Sequence, residues 1–149
     1  HPAAGSLMRR GFAILLVTAL AACATHAPSS PQWAKLEGCW FEAGGEIWPA
    51  SMRWRRDPDH PGGYLGDWRR DAAQGDEDRV SFTLTPVGDQ MQLCDRSPGG
   101  SERCVTAVFG RPGWRLDGVA VLDVQGDYHE FGYAGATMPF FWGNRADCG

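Results

Sequence analysis

The chain has none of the short motifs that usually carry catalysis. It contains no G-x-S-x-G, no H-E-x-x-H and no glycine-rich loop leading into a helix. These absences remove the strained serine nucleophile, the paired histidines of a helical zinc site and the backbone cradle for phosphate. Ser51 and Ser81 have no base nearby in sequence. His129 and Glu130 are adjacent in a strand-like run, but neighbours on a strand face opposite ways and cannot act together on one substrate. His60, just after Asp57 and Asp59, reads as part of a solvated turn, and Asp76-Glu77-Asp78 lacks the ligand spacing of a calcium loop. No C-x-x-C spacing supports a zinc site. Basic excess is absent too: 14 basic residues stand against 18 acidic, a net charge of −4. That argues against nucleic acid, because phosphate contact needs a basic face. No enzymatic activity, metal or cofactor is expected.

An apolar helical period is also missing, except near the N-terminus. There Met8-Arg9-Arg10 precedes an uncharged run, residues 11–20. The run is too short to span a bilayer, which needs about 20 residues, but it has the size of a signal-peptide core. It leads into Leu20-Ala21-Ala22-Cys23, which resembles the lipobox of bacterial lipoproteins. The resemblance implies removal of residues 1–22, a diacylglyceryl thioether on Cys23 and an acylated new amine, typically palmitate-bearing. Several acyl chains hold a protein to a membrane far more firmly than one. Residues 1–7 do not read as a signal start and are set aside. The mature chain would keep 127 of the 149 residues, and loss of Arg9 and Arg10 leaves 12 basic against 18 acidic residues, a net of −6. A lipid-anchored location in the cell envelope follows. Ala24 after the cysteine, rather than aspartate, points by analogy to the outer membrane, facing the periplasm. Residues 24–32 are small, polar and proline-containing, so residues 23–35 read as lipidated cysteine and tether, and residues 36–149 as one domain.

Four cysteines remain: Cys39, Cys94, Cys104 and Cys148. An even number in an oxidising compartment suggests two disulfides, with three pairings possible. The segment 95–103 reads as a hairpin turn, which favours Cys94–Cys104 and leaves Cys39–Cys148 to tie the domain's ends.

The rest of the domain is a series of short alternating runs. They occupy residues 38–42, 46–55, 64–69, 80–85, 91–94, 103–109, a pair at 114–116 and 119–124 around Asp117-Gly118, and a last run at 128–133. Apolar Trp48, Ala50, Met52 and Trp54 alternate with polar residues, as do Val80, Phe82 and Leu84. Asp117-Gly118 is a two-residue hairpin signal. Short strands with turns at this spacing predict an all-β fold, here a small antiparallel up-and-down eight-stranded barrel. The apolar tail around Phe140-Phe141-Trp142 must pack or bind something.

Gly38-Cys39-Trp40 resembles the G-x-W motif of lipocalins and the wider calycin group, and Gly126-Asp127-Tyr128 is similar to their second motif. Arg145 matches the family's late arginine. The resemblance implies that Gly38 lets the backbone bend, that Trp40 plugs the closed end and that Arg145 lies across its ring. It departs from the family in lacking a C-terminal helix and in length.

On that architecture Trp48, Met52, Trp54, Tyr64 and Trp68 would line an apolar barrel mouth, with Arg53 and Arg69 at the rim to meet an acidic head group. The expected function is a lipocalin-like lipoprotein that holds a small apolar or amphipathic ligand. The alternatives are a periplasmic protease inhibitor, similar to the small disulfide-bearing barrels that inhibit metalloproteases, and a structural partner at the outer membrane.

Overall fold

Alternating side chains need two environments, and a sheet that curls on itself supplies both: a packed inside and a wet outside. The computed structural model of the protein describes residues 31–42, 49–71, 77–96, 100–110, 118–132 and 140–149, and within them this closure is complete. A single helical turn, α1 (Pro31–Ala34), precedes nine strands. These are β1 (Gly38–Glu42), β2 (Ala50–Arg56), β3 (Tyr64–Asp71), β4 (Glu77–Val87), β5 (Gln90–Arg96), β6 (Arg103–Phe109), β7 (Val119–Gln125), β8 (Tyr128–Gly132) and β9 (Phe140–Ala146). They form one closed barrel in sequence order, with β9 returning to pair with β1.

The count is nine rather than the expected eight, and the additional strand is the apolar tail. Phe141 enters the core, and Phe131 is its register partner on β8. Phe140-Phe141-Trp142 therefore does not form one surface patch. Gly143 serves a close approach between strands. A Cβ at Gly143 would lie 2.5 Å from the Phe41 carbonyl oxygen and 2.8 Å from the Phe141 ring. Because backbone cannot rotate aside, Gly143→Ala is expected to cost about 2 kcal/mol by overpacking, read from the urea midpoint.

The second difference lies in one connection. β6 and β7 run parallel, with Thr106 opposite Val119 and Phe109 opposite Leu122. A hairpin at Asp117-Gly118 is thereby excluded for β7, whose neighbours are β6 and β8. A parallel pair needs a returning crossover, not a tight turn. Parity gives the physical reason: a closed ring with an odd number of strands cannot alternate direction all the way round. Nine strands require a parallel neighbour, and β6/β7 supplies it. Residues 114–116 lie outside the described residues.

Both expected disulfides are present, Cys39–Cys148 and Cys94–Cys104. The first joins β1 to the segment after β9, and the second links opposed residues of β5 and β6.

The ordered domain begins before Leu36. Trp33 is buried and packs edge-on to Phe109, with ring centroids 5.3 Å apart, and Leu36 is fully buried. Two large apolar side chains dock this segment on the barrel. Cys23 and the lipobox lie outside the described residues.

The interior is filled. Trp40, Trp54, Phe82, Phe131, Phe141, Met52, Leu84, Leu93, Leu122 and His129 are all nearly inaccessible. Phe82 and Phe131 meet edge to face at 5.2 Å, and Trp54 contacts both. Edge-to-face rings satisfy each other's quadrupoles while excluding water, so the middle of the barrel is a packed core.

Candidate functional site

The two ends of the barrel differ chemically. At the lower end, where β1 begins, residues 33–37 and Arg145 shut the barrel. The Arg145 guanidinium carbon lies 4.2 Å from the Trp40 ring centroid. Its Nη1 donates to the Glu37 carbonyl at 3.0 Å and its Nη2 to the Lys35 carbonyl at 3.2 Å. Trp40 Nε1 donates to the Leu36 carbonyl at 2.9 Å. Gly38, at φ +132°, passes so close that a Cβ there would sit 2.7 Å from Arg145 Nη1. Carbonyls of the segment that follows the helical turn are thus bound by an arginine that also covers a tryptophan face.

Above this end sits His129, fully buried. Its Nδ1–H donates to the Asp123 carbonyl at 2.8 Å, and its Nε2 accepts from Trp54 Nε1 at 3.2 Å. Both ring nitrogens are used by the neutral imidazole, as its surroundings require. Burial pushes its pKa down to about 4; the bond to Asp123 acts the other way, and nearby Arg145 adds to the lowering. Glu130 lies on the other face of β8, so no His–carboxylate couple forms here.

The upper end holds the polar cluster. There β1 ends at Glu42, β2 starts at Ala50, and β3 and β4 meet with Arg70 opposite both Ala50 and Asp78. Glu42 is buried, with 3% side-chain exposure. Its Oε2 accepts from the Ala50 amide at 2.8 Å, and both of its oxygens accept from Arg70 Nη2 at 2.9 and 3.1 Å. The Arg70 guanidinium lies 5.5 Å from the Trp68 ring centroid. Two donors remain over: Trp68 Nε1 and Arg70 Nε are buried and reach no hydrogen-bond acceptor. A buried donor without a partner costs roughly 1–3 kcal/mol, so each such group calls for an explanation.

The expected ligand residues distribute as follows. Met52, Trp54, Tyr64 and Trp68 all face inward and are buried in the core. Trp54 is committed to His129, Phe82 and Phe131. Of this set only Trp68 carries an unspent polar atom among the described residues. Trp48 lies outside the described residues. Arg53 and Arg69 point to the outer surface, away from the aromatic side chains they were expected to join. They border a cleft of about 290 Å³ with Phe41, Ser51 and Asp67 on the outside of the barrel. Parity explains this: odd positions on β2 and β3 face out, and even positions face in. The same parity puts Arg70 on the inward face with Tyr64, Gly66 and Trp68.

Other polar clusters are structural. Asp57 accepts from the Asp59 amide at 2.9 Å and contacts His60 Nδ1 at 2.8 Å. The Asp59 amide bond in particular holds the Asp57 carboxyl below its usual range. Cys94, Glu102 and Cys104 bring possible metal-ligand atoms together, but both sulfurs are spent in the disulfide.

No protein-family model, curated protein or solved structure matches the chain.

Proposed function

We propose that the chain is a lipocalin-like envelope lipoprotein, anchored through Cys23, that binds a small apolar or amphipathic molecule at the upper end of its barrel. The observation that carries this reading is the buried donor pair on the inner face of the upper end, Trp68 Nε1 and Arg70 Nε, which reach no acceptor; a ligand that completes them must displace the atoms that cover them. The filled core below Trp68 makes the site shallow, so the ligand is held at the end of the barrel and not along a hollow interior. The closed ring, the arginine-covered tryptophan at the lower end and the G-x-W start support the lipocalin-like assignment.

Native mass spectrometry of protein purified from its own envelope tests the proposal. The expected spectrum shows a lipidated chain and a second population carrying a non-covalent adduct of small-molecule mass. A spectrum of lipidated, empty protein only would sink the binding reading, and an unlipidated chain would sink the anchor.

The packed interior also favours a second reading, since an inhibitor of an envelope protease needs a rigid barrel and no cavity. In that reading the residues before α1 enter the protease cleft. Stoichiometric loss of protease activity on titration would support it, and undiminished activity would exclude it for that protease.

A further inference from the structure

The short disulfide stands among groups that suit a different bond. β5 and β6 set Cys94 directly opposite Cys104. Arg96 lies two residues after Cys94 and Glu102 two residues before Cys104, so both project from the same outer side of the sheet. Glu102 Oε1 lies 3.6 Å from Cys104 Sγ, and Glu102 Oε2 accepts from Arg96 Nη2 at 3.1 Å. The two sulfurs and a carboxylate oxygen of Glu102 all fall within 4.8 Å of one another, the only such group of metal-ligand atoms among the described residues.

The spacing matches a tetrahedral ion. Zinc holds thiolate sulfur at about 2.3 Å and carboxylate oxygen at about 2.0 Å, which sets tetrahedral corners about 3.5 Å apart for sulfur and oxygen and about 3.8 Å apart for two sulfurs. The sulfur–oxygen edge is already in place. Opening the disulfide lets the sulfurs relax to non-bonded contact, close to the second value. The paired residues on either side, Leu93 with Val105 and Asp95 with Arg103, keep them from moving much farther. Arg96 orients the carboxylate by one oxygen and leaves the other turned to sulfur, as an outer partner of a metal ligand does. Its positive charge also favours a neighbouring thiol in the thiolate form. A cleft of about 230 Å³, bordered by Thr83, Cys94, Arg96 and Glu102, leaves room for a water at the fourth corner.

We propose that Cys94, Cys104 and Glu102 form a redox-gated site for a thiophilic divalent ion, zinc above all, shut while the disulfide stands and open once a dithiol reductant has cleaved it. The site is separate from the upper end and does not depend on a ligand there. In the opening step the reductant's two thiols join as a disulfide, and two electrons and two protons pass to the Cys94–Cys104 bond, giving two thiols. Zinc then displaces those two protons and is held by two thiolates and one carboxylate. The assembly keeps one negative charge, next to Arg96. Two sulfur ligands exclude calcium and magnesium, which require oxygen.

Limited phosphine reduction of the full chain tests the proposal. Alkylation and peptide mapping identify the species with free Cys94 and Cys104, and near-ultraviolet circular dichroism shows whether it stays folded. Zinc is titrated in competition with a chromophoric chelator, and cobalt(II) serves as the spectroscopic probe. The reduced species is expected to bind a single ion, with the visible bands of tetrahedral cobalt and charge transfer from thiolate. The oxidised chain should bind zinc about a hundredfold more weakly or less, since a disulfide sulfur is not a thiolate. Glu102→Gln should weaken zinc about tenfold or more, and the Cys94→Ser/Cys104→Ser variant should lose the cobalt bands. Equal zinc affinity in oxidised and reduced chains overturns the proposal. So does an unchanged affinity in Glu102→Gln, because the carboxylate is then not a ligand. A chain that opens Cys39–Cys148 first, or that unfolds when the short bond opens, also overturns it, because a reductant then exposes no folded site.

Discussion

Replacing Cys39 and Cys148 together with serine is expected to lower the unfolding free energy by about 4–5 kcal/mol. The two residues are separated by 109 positions in sequence, and their Cα atoms lie 5.2 Å apart. On the loop-entropy account, a cross-link closing a loop of that size removes far more freedom from the unfolded chain than a short one. Cys94–Cys104 provides the internal comparison, with a separation of 10 between residues already opposed on paired strands. Its removal should cost about 3 kcal/mol or less. Urea unfolding of the two double-serine variants, with the slope checked for a change in the unfolded state, measures both. The account fails if the long-range pair costs no more than the short one.

The second large effect is a dependence on pH located in one residue. His129 is neutral in the folded barrel, with a pKa pushed down by burial from 6.5 to about 4. Above pH 6.5 neither folded nor unfolded chain is protonated there, and the contribution to stability is fully present. Between 6.5 and about 4 the unfolded chain takes up a proton that the folded chain refuses, so stability falls as pH falls. Below about 4 both forms are protonated and the loss from this group stops. Its full extent is about 3 kcal/mol. The Asp57 carboxyl, held below 3.8, loses its contribution at still lower pH, so the two windows are distinct. His129→Gln can still donate to Asp123 and accept from Trp54 but does not titrate. That variant should be less stable at pH 7, and its urea midpoint should lack the wild-type fall between pH 6.5 and 4. A parallel fall in both proteins would remove His129 as the cause.

These effects show which features a one-dimensional reading reaches. Alternation in Met52–Trp54 and in Val80–Phe82–Leu84 was legible, because a strand's inside and outside are written two residues apart. The disulfide pairing was legible for a similar local reason, since the turn between Cys94 and Cys104 places them opposite each other. β9 was not, because the sequence marks it only as an apolar tail, and the need for Gly143 is set by the Phe41 backbone on a strand far away in the chain. Nor was the parallel β6/β7 pair, which is a property of the whole ring and leaves no mark on either strand. Of the site, the sequence puts Arg53 and Arg69 on strands next to the aromatic residues, but their odd positions turn them to the other face. Trp68 is a candidate in sequence for its ring; what sets it apart is a buried N–H that, like Arg70 Nε beside it, reaches no acceptor, and that is known only from the neighbours.

The Cys39–Cys148 bridge has a mechanical consequence as well. A protein tethered at one end is pulled whenever something grips the other, and tension follows covalent bonds. Tension applied between the segment before α1 and residue 149 passes from the start of β1 to the segment just after β9, at the same end of the barrel, through two sulfur atoms. The stretch spanned by that separation of 109 is bypassed. Stretching the oxidised protein end to end would therefore draw out only the short segments outside the bridge, while the same pull on the reduced protein would unravel the strands.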